Sequence, residues 1–145
     1  MHRRPRLIVA AALAAPLLSS CGAAVGVDAA PDAAHPACAE VFVVLPDQLG
    51  DLPRRETTSQ SSAAWGDPPV VLRCGVDPPG PTTEPCVGVG DVDWLQSGLD
   101  GGARFTTYGR VPALDVTVPD GLSADVVLGA LAPAAAVLEV EARCL

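Results

Sequence analysis

The stretch Trp65-Gly66-Asp67-Pro68-Pro69-Val70-Val71-Leu72-Arg73-Cys74-Gly75 decides the fold. Its second half is an apolar run, and alternate side chains along it (Val70, Leu72 and Cys74) point to one face of a strand. The two prolines before the run hold the backbone extended and lack N–H donors, which suits the start of a strand and not its interior. The stretch therefore predicts a core strand, Val70–Cys74, with a cysteine on its buried face.

The chain has 145 residues, enough for one modest domain. It contains only five aromatic residues, so Val, Leu and Ala must fill the core. We predict one α+β domain in which a small antiparallel sheet packs with two or three short helices, stapled by disulfides.

Helices and further strands flank the predicted core strand. Apolar residues at helical spacing predict a helix over Ala37–Leu45, and Ser123 is a suitable N-cap for a helix from Ala124 to Leu131 that Pro133 interrupts. Residues 48–64 are polar and rich in turn-forming residues, which is typical of an exposed loop. The remaining strands are predicted as follows: Cys86–Val89 as an antiparallel partner of Val70–Cys74, a hairpin of Arg104–Tyr108 with Ala113–Val118, and Leu138–Cys144 as a half-buried strand, with a frayed helix end as the alternative for this last segment.

The first twenty residues have the pattern of a lipoprotein signal peptide. Three arginines precede a twelve-residue apolar run, Leu7–Leu18, which is too short to span a bilayer because a spanning helix needs about 20 residues. The run ends in Leu18-Ser19-Ser20-Cys21, which resembles a bacterial lipobox: small residues fit a peptidase site, and the thiol can carry a diacylglyceryl group. We predict a signal peptide over residues 1–20 and lipidation of Cys21, with ordinary secretion as the alternative.

The predicted domains follow from this leader. Residues 21–36 carry the lipidated cysteine and a flexible tether rich in Ala, Gly, Pro and Asp, and residues 37–145 form the extracytoplasmic domain. The predicted location is the outer side of the cell membrane, held there by the lipid on Cys21. The pattern does not distinguish the general secretory route from twin-arginine export.

Four cysteines remain after Cys21, and an even number in an exported domain predicts disulfides. Four cysteines allow three pairings. We favour Cys74–Cys86, which would clip a proline-rich loop, together with Cys38–Cys144, which would tie the first helix to the last strand. A zinc site is the competing use of these thiols, but the chain has no C-x-x-C pair.

Charge narrows the choice of partners. From Cys21 onward the chain carries six arginines and seventeen acids, a formal charge of −11. Such a surface repels nucleic acid, which we exclude as a partner. His35 is the only histidine in that part of the chain, so we expect no metal and no cofactor.

Candidate catalytic residues are few. Three acids, Asp67, Asp91 and Asp93, would have to converge in one cleft to act as a hydrolytic carboxylate pair. The run Gly90–Asp93 lacks the further ligands that a calcium loop requires. The serines of residues 59–62 have no histidine nearby. We therefore assign no catalytic residue.

The few aromatic residues either anchor the core or line a recognition surface, and the sequence leaves both alternatives open. Arginines near some of them would suit a groove for a cell-wall peptide, a glycan or a partner protein. The candidate recognition residues are Trp65, Asp67, Trp94, Arg104, Tyr108 and Arg110.

The order of landmarks resembles the domain of unknown function family 3515, an actinobacterial family of exported proteins. The matching runs are Cys38–Pro46, Ala64–Gly75, Val92–Leu95 following Cys86, and Arg104–Arg110. The resemblance implies an envelope protein, often a membrane protein or lipoprotein, and it implies no reaction.

These observations leave two classes of function. The first is a non-catalytic lipoprotein that binds or scaffolds an envelope protein or cell-wall component at the outer face of the cytoplasmic membrane. The second is an envelope hydrolase that uses carboxylates on a cell-wall component.

Overall fold

The computed structural model describes residues 22–145. The predicted signal peptide and the predicted lipidation site, Cys21, lie outside the described residues. None of the helices within residues 22–145 is long and apolar enough to cross a bilayer.

Two helices and ten strands make up the described chain. Helix α1 covers Pro36–Val44 and helix α2 covers Ala124–Ala135. The strands are β1 (Gln48–Leu49), β2 (Leu52–Arg55), β3 (Ser62–Trp65), β4 (Val70–Val76), β5 (Cys86–Val89), β6 (Val92–Leu99), β7 (Gly102–Thr107), β8 (Arg110–Val111), β9 (Ala113–Pro119) and β10 (Glu139–Val140).

Eight strands form one antiparallel sheet in the order β1-β2-β3-β4-β9-β7-β6-β5, and β8 pairs with β10 in a separate ribbon. The predicted core strand is confirmed as β4, which lies between β3 and β9. The predicted hairpin is confirmed as the antiparallel pair β7–β9.

The core lies between one face of this sheet and the two helices. Strand β4 buries Val70, Leu72 and Cys74 on this face, and β9 buries the alternate residues Leu114, Val116 and Val118. The helices cover them with apolar side chains, which are Val41, Val127, Leu128 and Leu131. Both indole rings, Trp65 and Trp94, are fully buried in the same core.

A segment that we call the N-terminal strap, residues 22–35, lies against the domain. Val25 forms a parallel bridge with Thr57, and the Arg73 guanidinium donates to the Asp28 carbonyl. The strap then crosses β4 at Gly75, which has φ +95° at a register shift in the strand; a Cβ there would collide with the Asp32 backbone. The described part of the predicted tether is therefore packed on the domain.

The C-terminal tail, residues 141–145, also crosses the sheet at a glycine. The amide of Glu141 donates to the Gly109 carbonyl at 2.8 Å, and Gly109 has φ +65° with no room for a Cβ beside Ala142. The predicted strand Leu138–Cys144 is wrong beyond Val140 because only Leu138 is buried, while Val140 and Ala142 face solvent.

Two further local predictions are wrong. Residues 48–55 form an edge hairpin and residues 62–64 most of β3 instead of a loop, because Leu49, Ala63 and Ala64 bury their side chains there; only residues 56–61 lie between strands as predicted. Helix α2 continues through Pro133 to Ala135. Pro133 has no N–H to donate, but the helical hydrogen bonds resume after it, since the Ala136 amide donates to the Ala132 carbonyl at 2.8 Å.

Two disulfides staple the domain, but the predicted pairing is wrong. Cys38 bonds to Cys74 and Cys86 bonds to Cys144, with Cα–Cα distances of 5.7 and 6.5 Å. The sequence predicts that β5 pairs with β4, but β5 pairs with β6 at the edge of the sheet. Cys74 and Cys86 therefore lie on opposite faces with three strands between them, whereas α1 places Cys38 directly over β4.

Candidate functional site

The predicted recognition residues do not form one surface. Trp65 and Trp94 are buried, and the indole N–H of Trp65 donates to the Pro46 carbonyl at 3.0 Å. The structure thus favours the core-anchoring role for both tryptophans. Asp67 is exposed in the turn between β3 and β4, away from the others.

Arg110 is buried, and its side chain links separate backbone segments by hydrogen bonds. Its guanidinium donates to three carbonyls, those of Ala136, Leu138 and Asp91, at 2.6–3.1 Å. Burial, and secondarily the charge of Arg143, lowers the pKa of Arg110 from its ordinary value. With its donors used internally, Arg110 is not placed to bind a ligand.

The three candidate catalytic acids do not converge. Asp67 lies at the β3–β4 turn, while Asp91 and Asp93 lie at the β5–β6 hairpin on the edge of the sheet. The antiparallel register also places these two turns at opposite ends of the strands. The premise of a carboxylate pair in one cleft is therefore not met by these residues.

A charged cluster lies on the sheet face opposite the helices, which we call the open face. Asp115 of β9 is the cross-strand neighbour of Arg73 on β4, and the Arg73 Nε donates to the Asp115 Oδ1 at 3.0 Å. The second guanidinium nitrogen bonds the other carboxylate oxygen, giving a bidentate pair. These hydrogen bonds raise the pKa of Arg73 above its ordinary value, against the opposing effect of burial.

Arg104 completes the cluster from the other side. Its Nε lies 3.7 Å from the Asp115 Oδ2, too far for a hydrogen bond, and this buried nitrogen has no partner among the described residues. The Asp115 side chain is only 4% exposed, whereas that of Arg104 is 41% exposed. Two arginines share one buried carboxylate, the Asp28 charge also acts on Arg73, and the Arg104 guanidinium faces solvent.

A groove of about 310 Å³ continues the open face toward the C-terminal tail. Leu95 forms its floor and is the cross-strand neighbour of Thr106, which lies two residues, or about 6.6 Å of strand, from Arg104. The groove has both apolar and charged walls, which are Pro81, Thr82, Glu84, Tyr108, Arg143 and Leu145 together with the Cys86–Cys144 disulfide. Arg104 does not line the groove itself but lies beside it on the same face of the sheet.

One grouping among residues 22–145 has atoms that could ligate a metal. It consists of Asp93, Cys86 and Cys144, whose ligand atoms lie within 4.8 Å of one another. Both sulfurs are bonded to each other, and Asp93 accepts from the Cys144 amide at 3.0 Å. The disulfide leaves no thiolate for a metal.

Of the predicted recognition residues, the open face retains Arg104 and Tyr108. Sequence reasoning missed the acid that positions Arg104. A usable signal was present, since Asp115 and Arg73 are single opposite charges in the middle of apolar strands and both have outward parity. The groove walls carried no such signal because residues 81–84 and 143–145 are far apart in sequence.

Fold and site together define a disulfide-stapled α+β protein with an antiparallel sheet, one face covered by helices and the other presenting an arginine cluster beside a groove. The chain belongs to the DUF3515 family: the family model described as "Protein of unknown function (DUF3515)" matches residues 6–141. No curated protein and no solved structure matches the chain significantly.

Proposed function

We propose that this protein is a non-catalytic lipoprotein that binds an anionic component of the actinobacterial cell envelope on its open face. Its location is the outer face of the cytoplasmic membrane, where residues 1–20 act as signal peptide and Cys21 carries the lipid. The ligand is a carboxylate-bearing cell-wall peptide or glycan, or an envelope protein that presents such a group.

The observation that carries this proposal is the state of Arg104. Asp115 holds the guanidinium at the open face, yet the buried Nε of Arg104 donates to no partner among the described residues and 41% of the side chain is exposed. A guanidinium binds a carboxylate with two parallel hydrogen bonds, and Arg104 has donors available for such a pair. In a domain whose remaining surface is acidic, this cluster is a place where an anion is attracted.

The arrangement of the N-terminal strap supports anchoring at Cys21. Gly22 directly follows that cysteine, and the Ala23 carbonyl accepts from Arg55, whose side chain lies on the same side of the sheet as Arg73. The lipid would therefore attach on the open-face side, so the groove would face the membrane-proximal wall layer and the helices would point away.

The hydrolase alternative has less support. It requires carboxylates that converge in a cleft, and Asp67 lies at the opposite end of the sheet from Asp91 and Asp93. The acid within the cluster, Asp115, is buried and both of its carboxylate oxygens accept hydrogen bonds from Arg73, which leaves it poorly placed to act as a nucleophile.

Binding can be tested with soluble peptide–glycan fragments released from cell wall by a muramidase, titrated against the purified protein by calorimetry. Arg104→Gln should weaken binding roughly ten- to hundredfold because it removes a charge-assisted hydrogen-bond pair. Arg54→Gln is the matched control, since it removes the same charge from β2 beside α1. Equal affinities for both variants and the wild type would contradict the proposal.

Anchoring can be tested separately by labelling cells with palmitate. Wild type and a Ser20→Ala variant, which retains the cysteine, should incorporate label and partition into detergent. Cys21→Ala should do neither, and equal incorporation by Cys21→Ala would refute lipidation at this residue.

A further inference from the structure

After Asp125 in its first turn, helix α2 is apolar on all sides although one side faces solvent. Residues 126–138 contain no polar side chain. Val127, Leu128 and Leu131 point into the core, while the other side of the helix exposes Val126, at 65%, and Pro133. A helix that is apolar all round is normally buried all round, so its outer side lacks the covering that its sequence fits.

Helix α1 also exposes apolar residues. It contacts α2 and exposes Val43 to 87%, with Val44 beside it. Six large hydrophobic residues are exposed within residues 22–145, and five of them lie on these helices or within five residues of the end of α2. We name the set the outer helical surface; it comprises Val43, Val44, Val126, Ala130, Pro133, Val137 and Val140.

The charges next to the outer helical surface are mostly acidic. Residues 36–45 and 120–142 include five acids and no basic residue. The acids are Glu40, Asp120, Asp125, Glu139 and Glu141. One cation at the margin, Arg54, lies over the Phe42 ring at 5.8 Å. The surface is therefore an apolar patch with an acidic rim, and clustered exposed apolar residues of this kind mark interaction sites.

We infer that the outer helical surface docks another envelope protein through an apolar segment flanked by lysine or arginine. Basic flanks on the partner pair with the acidic rim, and apolar side chains cover the valines. This interaction is distinct from ligand binding at Arg104, which lies on the other face of the sheet.

Two other occupants fit the charges less well. A second copy of the chain would place its own acidic rim against Glu40 and Asp125 with no basic residue on either helix to compensate. A bilayer with anionic headgroups repels the same rim. The proposed anchor also emerges on the opposite side of the sheet, which turns the helices away from the membrane.

The test is site-specific photo-crosslinking of the full-length protein in its own cells. A photoreactive amino acid is placed at Val43 or at Val126, and a control is placed at Asp100 in the exposed β6–β7 turn. We expect one heteromeric adduct from each helical position and none from Asp100. Mass spectrometry of the linked peptide should identify an apolar segment with Lys or Arg on its flanks.

Two variants show whether the adduct depends on the proposed chemistry. Val137→Ser lowers the apolar area and the pair Glu40→Gln and Asp125→Asn lowers the rim charge; each should reduce the adduct yield at least threefold. All exchanged side chains are exposed, and thermal unfolding confirms that the variants are folded. Arg104→Gln should leave the yield unchanged, which separates this surface from the ligand site.

Several results would overturn the inference. An adduct of twice the chain mass would identify a second copy as the occupant, and an adduct to lipid would identify the bilayer. No adduct, or equal adducts from Val126 and Asp100, would show that nothing docks specifically on the helices.

Discussion

The two disulfides should contribute unequally to stability although they close loops of similar size. Their sequence separations are 36 and 58 residues, and on the chain-entropy account each loop stabilises the fold by about 4 kcal/mol. Cys38 and Cys74 are both buried in the core, whereas Cys86 is exposed. Replacing the first pair with serine also buries two hydroxyls, each costing about 1–3 kcal/mol where it finds no partner.

The double variant Cys38→Ser/Cys74→Ser should therefore lose about 6 kcal/mol or more of unfolding free energy, and Cys86→Ser/Cys144→Ser about 4 kcal/mol. Because single domains have about 5–15 kcal/mol in total, the first variant should be close to unfolding. Urea titration followed by circular dichroism measures both values in the Cys21→Ala background, which removes the remaining thiol. A cost for the Cys86/Cys144 pair equal to or above that of the buried pair would refute this reasoning.

Three further changes test other contacts. Asp115→Asn should cost about 3 kcal/mol by urea unfolding, because it leaves Arg73 and Arg104 side by side without their shared anion; a loss below 1 kcal/mol would contradict the bidentate pairing. Gly109→Ala should lower the free energy of unfolding by about 1–2 kcal/mol and speed amide exchange at Glu141. The control Gly98→Ala, which has open space around it, should leave that exchange unchanged, and equal exchange in both variants would contradict the crossing at Gly109. Arg110→Met should lower the free energy of unfolding by at least about 3 kcal/mol because it leaves three carbonyls without their donor. Arg54→Met should lower it much less, and similar losses in both variants would show that the three hydrogen bonds of Arg110 contribute little to stability.

The parts of the fold that the sequence predicts are those with strong local patterns. Alternation in Val70–Cys74 and in Ala113–Val118 follows directly from one buried sheet face, so both strands are found where expected. Helix α1 is also found within one residue, because its cysteine and Val41 recur at helical spacing between two prolines.

The parts that fail depend on contacts distant in sequence. Strands β1 and β2 lie at the edge of the sheet and keep partly exposed residues, and composition alone does not separate such strands from a loop. The disulfide pairing depends on strand order: three strands separate β5 from β4, and β5 turns Cys86 to the open face, where the C-terminal tail arrives. The alternation of side chains along one strand does not reveal over which face of the sheet a segment distant in sequence, such as the C-terminal tail, will lie.

The candidate site shows the same division. Arg104 and Tyr108 are named from the sequence and do lie on the open face, but Trp65, Trp94 and Arg110 turn inward. In a chain with few aromatic residues, the large rings are needed to fill the core before any remain for a surface. The buried partner of Arg104, Asp115, becomes visible only when β4, β9 and β7 are placed side by side.

The claim that the open face is the ligand site is tested most directly by NMR of the labelled protein during titration with the muramidase-released fragments. We predict that amide shifts saturate with a single affinity and concentrate at Arg104, Thr106, Tyr108, Thr117 and the C-terminal tail, and that Arg104→Gln abolishes them. Shifts confined to α1 and α2, or no shift at millimolar concentrations of fragments, would contradict the claim.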